Sequence, residues 1–169
     1  QPSGLMPEYD SATGTWTAPF VMAPINTKNV HRSNFLLGHP YGRDFVYDEM
    51  MMTTIGDAGR AMAEAIAKAN PFGDAKILPG DGPSKEEREN GFYDVLFIGE
   101  YPDGTSVRVS VSGDKDPGYG STSKMISESA LTLLETDTPG GVTTPGAVMA
   151  APLLTRLEKN AGLTFLVEG

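Results

Sequence analysis

The chain has 169 residues, 13 of them basic and 22 acidic, a net charge of -9 and no cysteine. That length suits one domain with a real core, and the missing cysteines exclude disulfides, thiol catalysis and cysteine metal sites. No basic run stands out, no apolar segment approaches the roughly 20 residues of a membrane span and no signal peptide is visible. The expectation is a cytoplasmic protein that neither binds nucleic acid nor spans a membrane. The first residues are Gln1-Pro2-Ser3-Gly4, without an initiator Met, the pattern of a piece cut or processed from something longer.

Residues 1–15 are rich in Pro, Gly, Ser and Thr and read as a linker or incoming loop. Trp16–Ile25 is apolar enough for a strand, limited by Pro19 and Pro24. Thr27 has the chemistry to cap a short helix to about Leu37, which Gly38 ends. Asp44–Thr54 reads as a strand. Asp57–Ala69 is a helix whose stripe is Ala58, Met62, Ala65, Ile66 and Ala69, and Asn70-Pro71 stops it. Residues 71–83 are loop. Ser84 and Glu87 have capping-box spacing at the start of a short charged helix through about Asn90.

Gly91–Tyr101 and Thr105–Gly113 are strands joined by Pro102-Asp103-Gly104, a hairpin signal. On the second strand Val107, Val109 and Val111 alternate with Arg108, Ser110 and Ser112, the pattern of a half-exposed antiparallel strand. A helix from about Ser121 to Glu135 has the stripe Ile126, Ala130, Leu133 and Leu134. Thr144-Pro145 offers an N-cap with proline at the first helical position. Pro152 kinks or restarts that helix. Ala161-Gly162 ends it, and Leu163–Glu168 is a last strand. The sum is an α+β fold: a mixed, largely antiparallel sheet of about five strands with helices packed on one face. A single domain then spans residues 16–169.

The segment Gly113–Met125, GDKDPGYGSTSKM, looks like a phosphate loop in its letters. Gly118 and Gly120 have G-x-G spacing and Lys124 follows. Ser123 stands where the third glycine of a dinucleotide fingerprint belongs, and the preceding strand is amphipathic where a nucleotide-binding sheet starts with a buried one. Two readings stay open. Backbone N–H groups at Gly118, Gly120, Ser121, Thr122 and Ser123 can hold a carboxylate or phosphate, helped by Lys124. Alternatively the loop is a strand-to-helix turn needing positive φ, with Ser121 as cap.

The other candidates carry similar pairs of readings. Asn26, Asn29, Arg32 and Asn34 suit a polar ligand or cofactor, or a capped helix satisfying its neighbours. Arg43 suits a bidentate carboxylate, or a surface turn with Asp44. Met50–Met52 suits an apolar acyl site, or core and interface filling. His31 is a general-acid candidate, and neither it nor His39 has a metal partner at i+3 or i+4, so no metal site is expected. Tyr119 and Lys124 are the one proton-transfer pair in the glycine loop.

Three segments together, INTKNVHRSNFLLGHPYGRDFVYDEMM (25–51), GDKDPGYGSTSKMISESAL (113–131) and TPGGVTTPGAVM (138–149), carry a resemblance. The chain resembles the C-terminal half of saccharopine dehydrogenase-like oxidoreductases, including bacterial trans-acting enoyl reductases. The resemblance runs from about Trp16 to the end. It implies a second, substrate-side α+β domain without the N-terminal dinucleotide-binding domain of such enzymes. That missing domain would be its partner, with NAD(P) bound there and no cofactor in this piece. It further implies a small-molecule or acyl substrate, a sheet that packs in a homodimer, and no activity for the isolated piece. The alternative is a non-catalytic oligomerisation or protein-interaction module.

Overall fold

The computed structural model describes residues 4–69 and 82–168. It divides into two compact units, Gln1–Lys76 and Ile77–Gly169, where composition suggested one domain from Trp16 onward. Residues 70–71 and most of the expected loop 71–83 lie outside the described residues.

The first unit opens with β1 (Glu8–Asp10) and β2 (Thr15–Pro19), an antiparallel pair with Tyr9 opposite Trp16. The segment read as a linker thus contains an outer strand. Its turn is built by Asp10, whose carboxylate accepts from the Ala12 N–H at 3.0 Å and the Thr13 hydroxyl at 2.6 Å. Gly14 supplies the positive φ of 71°.

Helix α1 (Ala23–Leu36) starts four residues before Thr27, with Pro24 in its first turn. Proline lacks the N–H that a first turn leaves unbonded, so Pro24 begins the helix where a strand had been expected to continue. Gly38, at φ 81°, ends it as expected. Of the strand expected over 44–54, only β3 (Met50–Met52) forms, antiparallel to β2. Residues 44–49 are irregular, and their polar groups are used by side chains: Glu49 accepts from the Tyr47 hydroxyl at 2.7 Å and from the Asn26 amide at 2.8 Å.

Helix α2 (Gly56–Lys68) packs on β2 through Gly59 and Ala63, not through the apolar stripe read from the sequence. A Cβ on Gly59 would sit 1.8 Å from the Thr54 carbonyl oxygen. The helix comes that close because its inner face is small, and Met62 is left 51 % exposed. Thr53 ties the corner, its hydroxyl lying 2.8 Å from the Trp16 carbonyl and 3.0 Å from that of Gly59.

The second unit begins with α3 (Lys85–Asn90), whose Ser84–Glu87 capping box is complete in both directions. The hairpin of β4 (Tyr93–Glu100) and β5 (Ser106–Gly113) forms as read, with Val95 opposite Val111. Gly104 takes φ 85° in its turn, and Asp103 accepts from the Thr105 N–H at 2.9 Å. After β5 come α4 (Gly120–Glu135), the single turn α5 (Pro145–Val148), α6 (Ala150–Asn160) and β6 (Leu163–Glu168). Pro152 lies in the first turn of α6, so it restarts the helix after Met149. Strand β6 returns antiparallel to β5.

Among the described residues there are therefore two three-stranded antiparallel sheets, β1-β2-β3 and β4-β5-β6, in place of one mixed five-stranded sheet. Strands β1 and β3 are three residues each and β4 and β5 eight, so the short pair has little ladder with which to extend the long hairpin. The class remains α+β.

Helix α4 reverses the expected orientation. Its buried residues are Ser121 and Thr132, while Ile126 is 67 % and Leu134 84 % exposed. The inner side is polar because α6 is held there by charge. The Arg156 guanidinium lies 2.8 Å from the Glu128 carboxylate and 2.9 Å from that of Glu135. Asn160 donates to Glu128 at 3.1 Å. These bonds, the Asn160 amide first, hold the Glu128 carboxyl below its usual range.

Candidate functional site

The first unit carries an open groove of 960 Å³. Helix α1 forms its long wall. Pro24, Thr27, Lys28, His31, Arg32 and Phe35 recur at helical spacing and line it along nearly the whole helix. The facing surface is mostly apolar, from Phe20 and Val21 after β2, Met51 of β3 and Ile66 near the end of α2. Tyr47 and Asp48 add polar groups. Burial raises the Tyr47 hydroxyl pKa, and its hydrogen bond to Glu49 adds to the shift, so this phenol stays protonated. His31 stacks edge-on to Phe45, ring centroids 5.6 Å apart.

Of the residues singled out in the sequence, His31, Arg32 and Met51 line this groove. Asn26 instead fixes Glu49. Asn34 is buried and structural: its amide donates to the Gly42 carbonyl at 2.9 Å and its oxygen accepts from the Tyr41 N–H at 3.0 Å. It folds the turn containing His39, whose φ is 67°. Asn29 is on the same helix and accepts, through its carbonyl, from the Ser33 hydroxyl at 2.9 Å. Asn29, Asn34 and Arg43 are not part of the groove lining. Lys28, Phe20 and Val21 were not singled out. Lys28 shares the α1 face of Arg32 at i, i+4, a signal that was available.

The glycine loop lies in the second unit and answers its own donors. The Asp116 carboxylate accepts from the Gly118 and Tyr119 N–H groups, both at 3.0 Å, and from that of Gly120. The Asp116 carbonyl accepts from the Ser121 N–H at 2.9 Å. Those bonds, the Tyr119 one foremost, lower the Asp116 pKa. A side-chain carboxylate thus occupies the place an external anion would take at this helix start. The glycines are not explained by positive φ either, since neither Gly118 nor Gly120 adopts it. Gly120 is required by close approach: a Cβ there would lie 2.7 Å from the Arg88 carbonyl. The Thr122 hydroxyl donates to the Pro117 carbonyl and that of Ser123 to the Gly120 carbonyl.

Lys124 and Tyr119 do not share a bond in the loop. The Lys124 ammonium is 3.9 Å from Asp114, and Tyr119 is exposed. A dinucleotide pyrophosphate does not fit a loop whose N–H groups are already taken, so no cofactor chemistry is assigned to it. Among the described residues no three His, Asp or Glu are grouped to hold a metal ion, and no helix is long and apolar enough to cross a membrane.

Comparison with known proteins gives a consistent partial match. No protein-family model matches the chain, and no solved structure matches it significantly. A Mycobacterium tuberculosis (strain H37Rv) protein named as a trans-acting enoyl reductase is 37 % identical over 85 % of this chain. Proteins named trans-acting enoyl reductase from Mycobacterium bovis (strain BCG / Pasteur) and Mycobacterium ulcerans (strain Agy99) are each 34 % identical, over 85 % and 86 % of the chain. The match takes in 39 % of the first two relatives and 40 % of the third. The chain is thus homologous to part of the trans-acting enoyl reductases, spanning about two fifths of their length.

Proposed function

We propose that this chain is the substrate-side, C-terminal portion of a saccharopine dehydrogenase-like NAD(P)-dependent oxidoreductase that acts as a trans-acting enoyl reductase. The observation that carries the reading is the 37 % identity running through 85 % of this chain while covering 39 % of the relative. A match of that kind fits a portion of a longer enzyme. The amphipathic β5 and the self-satisfied glycine loop support a nicotinamide site on another domain, one N-terminal to these residues. In this reading the groove along α1 contributes to the substrate cleft, the substrate is of acyl type, and the piece alone is inactive. The site of action is the cytoplasm.

The test compares the chain alone with the same chain joined to a dinucleotide-binding domain of a relative. Consumption of reduced nicotinamide is followed with an enoyl thioester. The joined protein turns over and the chain alone does not. A joined protein that binds cofactor and leaves every enoyl thioester untouched overturns the reading.

One observation favours a second reading, a non-catalytic interaction module. The exposed stripe of α4 is a surface suited to a protein partner. Retained self-association of the chain, with no turnover in the joined protein, selects it.

A further inference from the structure

We infer that the α1 groove is a binding site for a single-chain amphiphile, with its apolar tail along the groove and an anionic head at Lys28. The inference deepens the reading of this groove as part of an acyl cleft and rests on that reading for its location, while its test reads binding and not turnover.

Three observations meet here. The volume, 960 Å³, is at the large end of small-ligand sites, and the groove runs along a helix of 14 residues, so it suits an elongated ligand. Its facing wall, Phe20, Val21, Met51 and Ile66, offers an alkyl chain dispersion contacts and no competing hydrogen bonds. Its α1 wall concentrates positive charge. Lys28 and Arg32 are one turn apart, and Asp48 is the one carboxylate among the described lining residues. That is a cationic strip on a protein of net charge -9.

Lys28 decides the head group. It has no ion pair or hydrogen bond among the described residues. It is an exposed residue in the lining of a mostly apolar groove, a position from which a lysine can meet an anion at the end of an apolar tail. A carboxylate and a phosphate monoester share that chemistry.

The experiment displaces a fluorescent fatty acid from the full chain with dodecanoate, dodecyl phosphate or dodecanol. Wild type binds the two anions saturably at one site, and dodecanol about tenfold more weakly, the scale of one charge-assisted hydrogen bond. Whichever anion binds tighter names the source. Lys28→Met removes the preference for the anions and keeps the dodecanol affinity. Ala67→Trp, which places an indole on the groove wall, weakens all three ligands. Lys28 and Ala67 are both exposed, and unchanged melting temperatures verify the fold of each variant. The inference is overturned by absent saturable binding, by an anion preference that survives Lys28→Met, or by binding indifferent to Ala67→Trp.

Discussion

Gly59 is the position at which one added carbon does the most harm. Its neighbour is the Thr54 carbonyl oxygen, 1.8 Å from where a Cβ would stand, and backbone cannot step aside as a flexible side chain can. Gly59→Ala forces α2 away from the Thr53–Thr54 segment that leads into it and is expected to cost about 1–3 kcal/mol or more, read as a lower denaturation midpoint at unchanged slope. Asp116 makes the complementary case, since removing atoms there does the damage. Asp116→Ala leaves the N–H groups of Gly118, Tyr119 and Gly120 without their carboxylate, and a lowered melting temperature is expected. Acid acts on the same bond. The Asp116 and Glu128 carboxyls both have folded pKa values below their ordinary ones. Their stabilisation is complete above the unfolded values near ~4 and is lost as pH falls through the lowered ones. Melting temperatures taken from about pH 6 down to about pH 3 fall for wild type and fall less for Asp116→Ala. Tyr47 works at the other end. Its raised pKa stabilises the fold below the unfolded value near ~10, and that contribution disappears as pH rises above it.

Elements whose signals are local were legible in the sequence. The Ser84–Glu87 box and the Pro102-Asp103-Gly104 turn each depend on residues within four positions, and both form. So do the Gly38 and Gly162 terminations, at φ 81° and 73°. Sheet membership was not legible, because the pairing of β1 with β2 and of β5 with β6 rests on contacts that no short pattern encodes. The helix faces failed for a physical reason. An apolar stripe was taken to point inward, yet α2 docks through Gly59 and Ala63, and α4 through Ser121, Thr132 and the Glu128–Arg156 contact. Small and polar inner faces let these helices come close, and the apolar stripes face outward. Of the groove lining, His31, Arg32 and Met51 had been singled out by residue type. For Asn34 the sequence left a ligand group and a residue satisfying its neighbours open, because a buried amide that closes a turn looks the same in sequence, and its bonds to Gly42 and Tyr41 fit the second. At this scale Arg156→Met tests the α4–α6 contact. It leaves Glu128 with Asn160 alone, so the Glu128 pKa rises toward its ordinary value, measured by carboxyl titration in nuclear magnetic resonance. An unchanged titration would show that Asn160 suffices.

At the scale of the whole molecule, the question is what covers the outward apolar surface. Ile126, Leu133 and Leu134 on α4 are 67 %, 51 % and 84 % exposed, and with Ala130 they form one stripe at i, i+4, i+7 and i+8. The far end of the second sheet adds Phe97 and Val167, on the face that carries Tyr93. Tyr93 itself is turned toward α4, its hydroxyl 2.8 Å from that of Ser121. The sequence of β4 puts Leu96 and Ile98 on the opposite face, the one turned away from α4, so both faces of this strand read as apolar. Those two stand among Asp94, Ser106, Arg108 and Ser110, so that face is mixed. The α4 stripe is therefore the better candidate for association. Burying such a stripe against a second copy removes apolar area from water at roughly 25 cal/mol per Å². The contact has no charge to desolvate within the stripe itself. We expect the chain to self-associate at micromolar concentration through α4. Leu134→Glu places a carboxylate within that contact and converts the chain to a monomer in sedimentation equilibrium. Because Leu134 is 84 % exposed, the same substitution leaves the melting temperature of the monomer nearly unchanged. A wild-type chain that sediments as a monomer, or a Leu134→Glu chain that still associates, would place the interface on another surface.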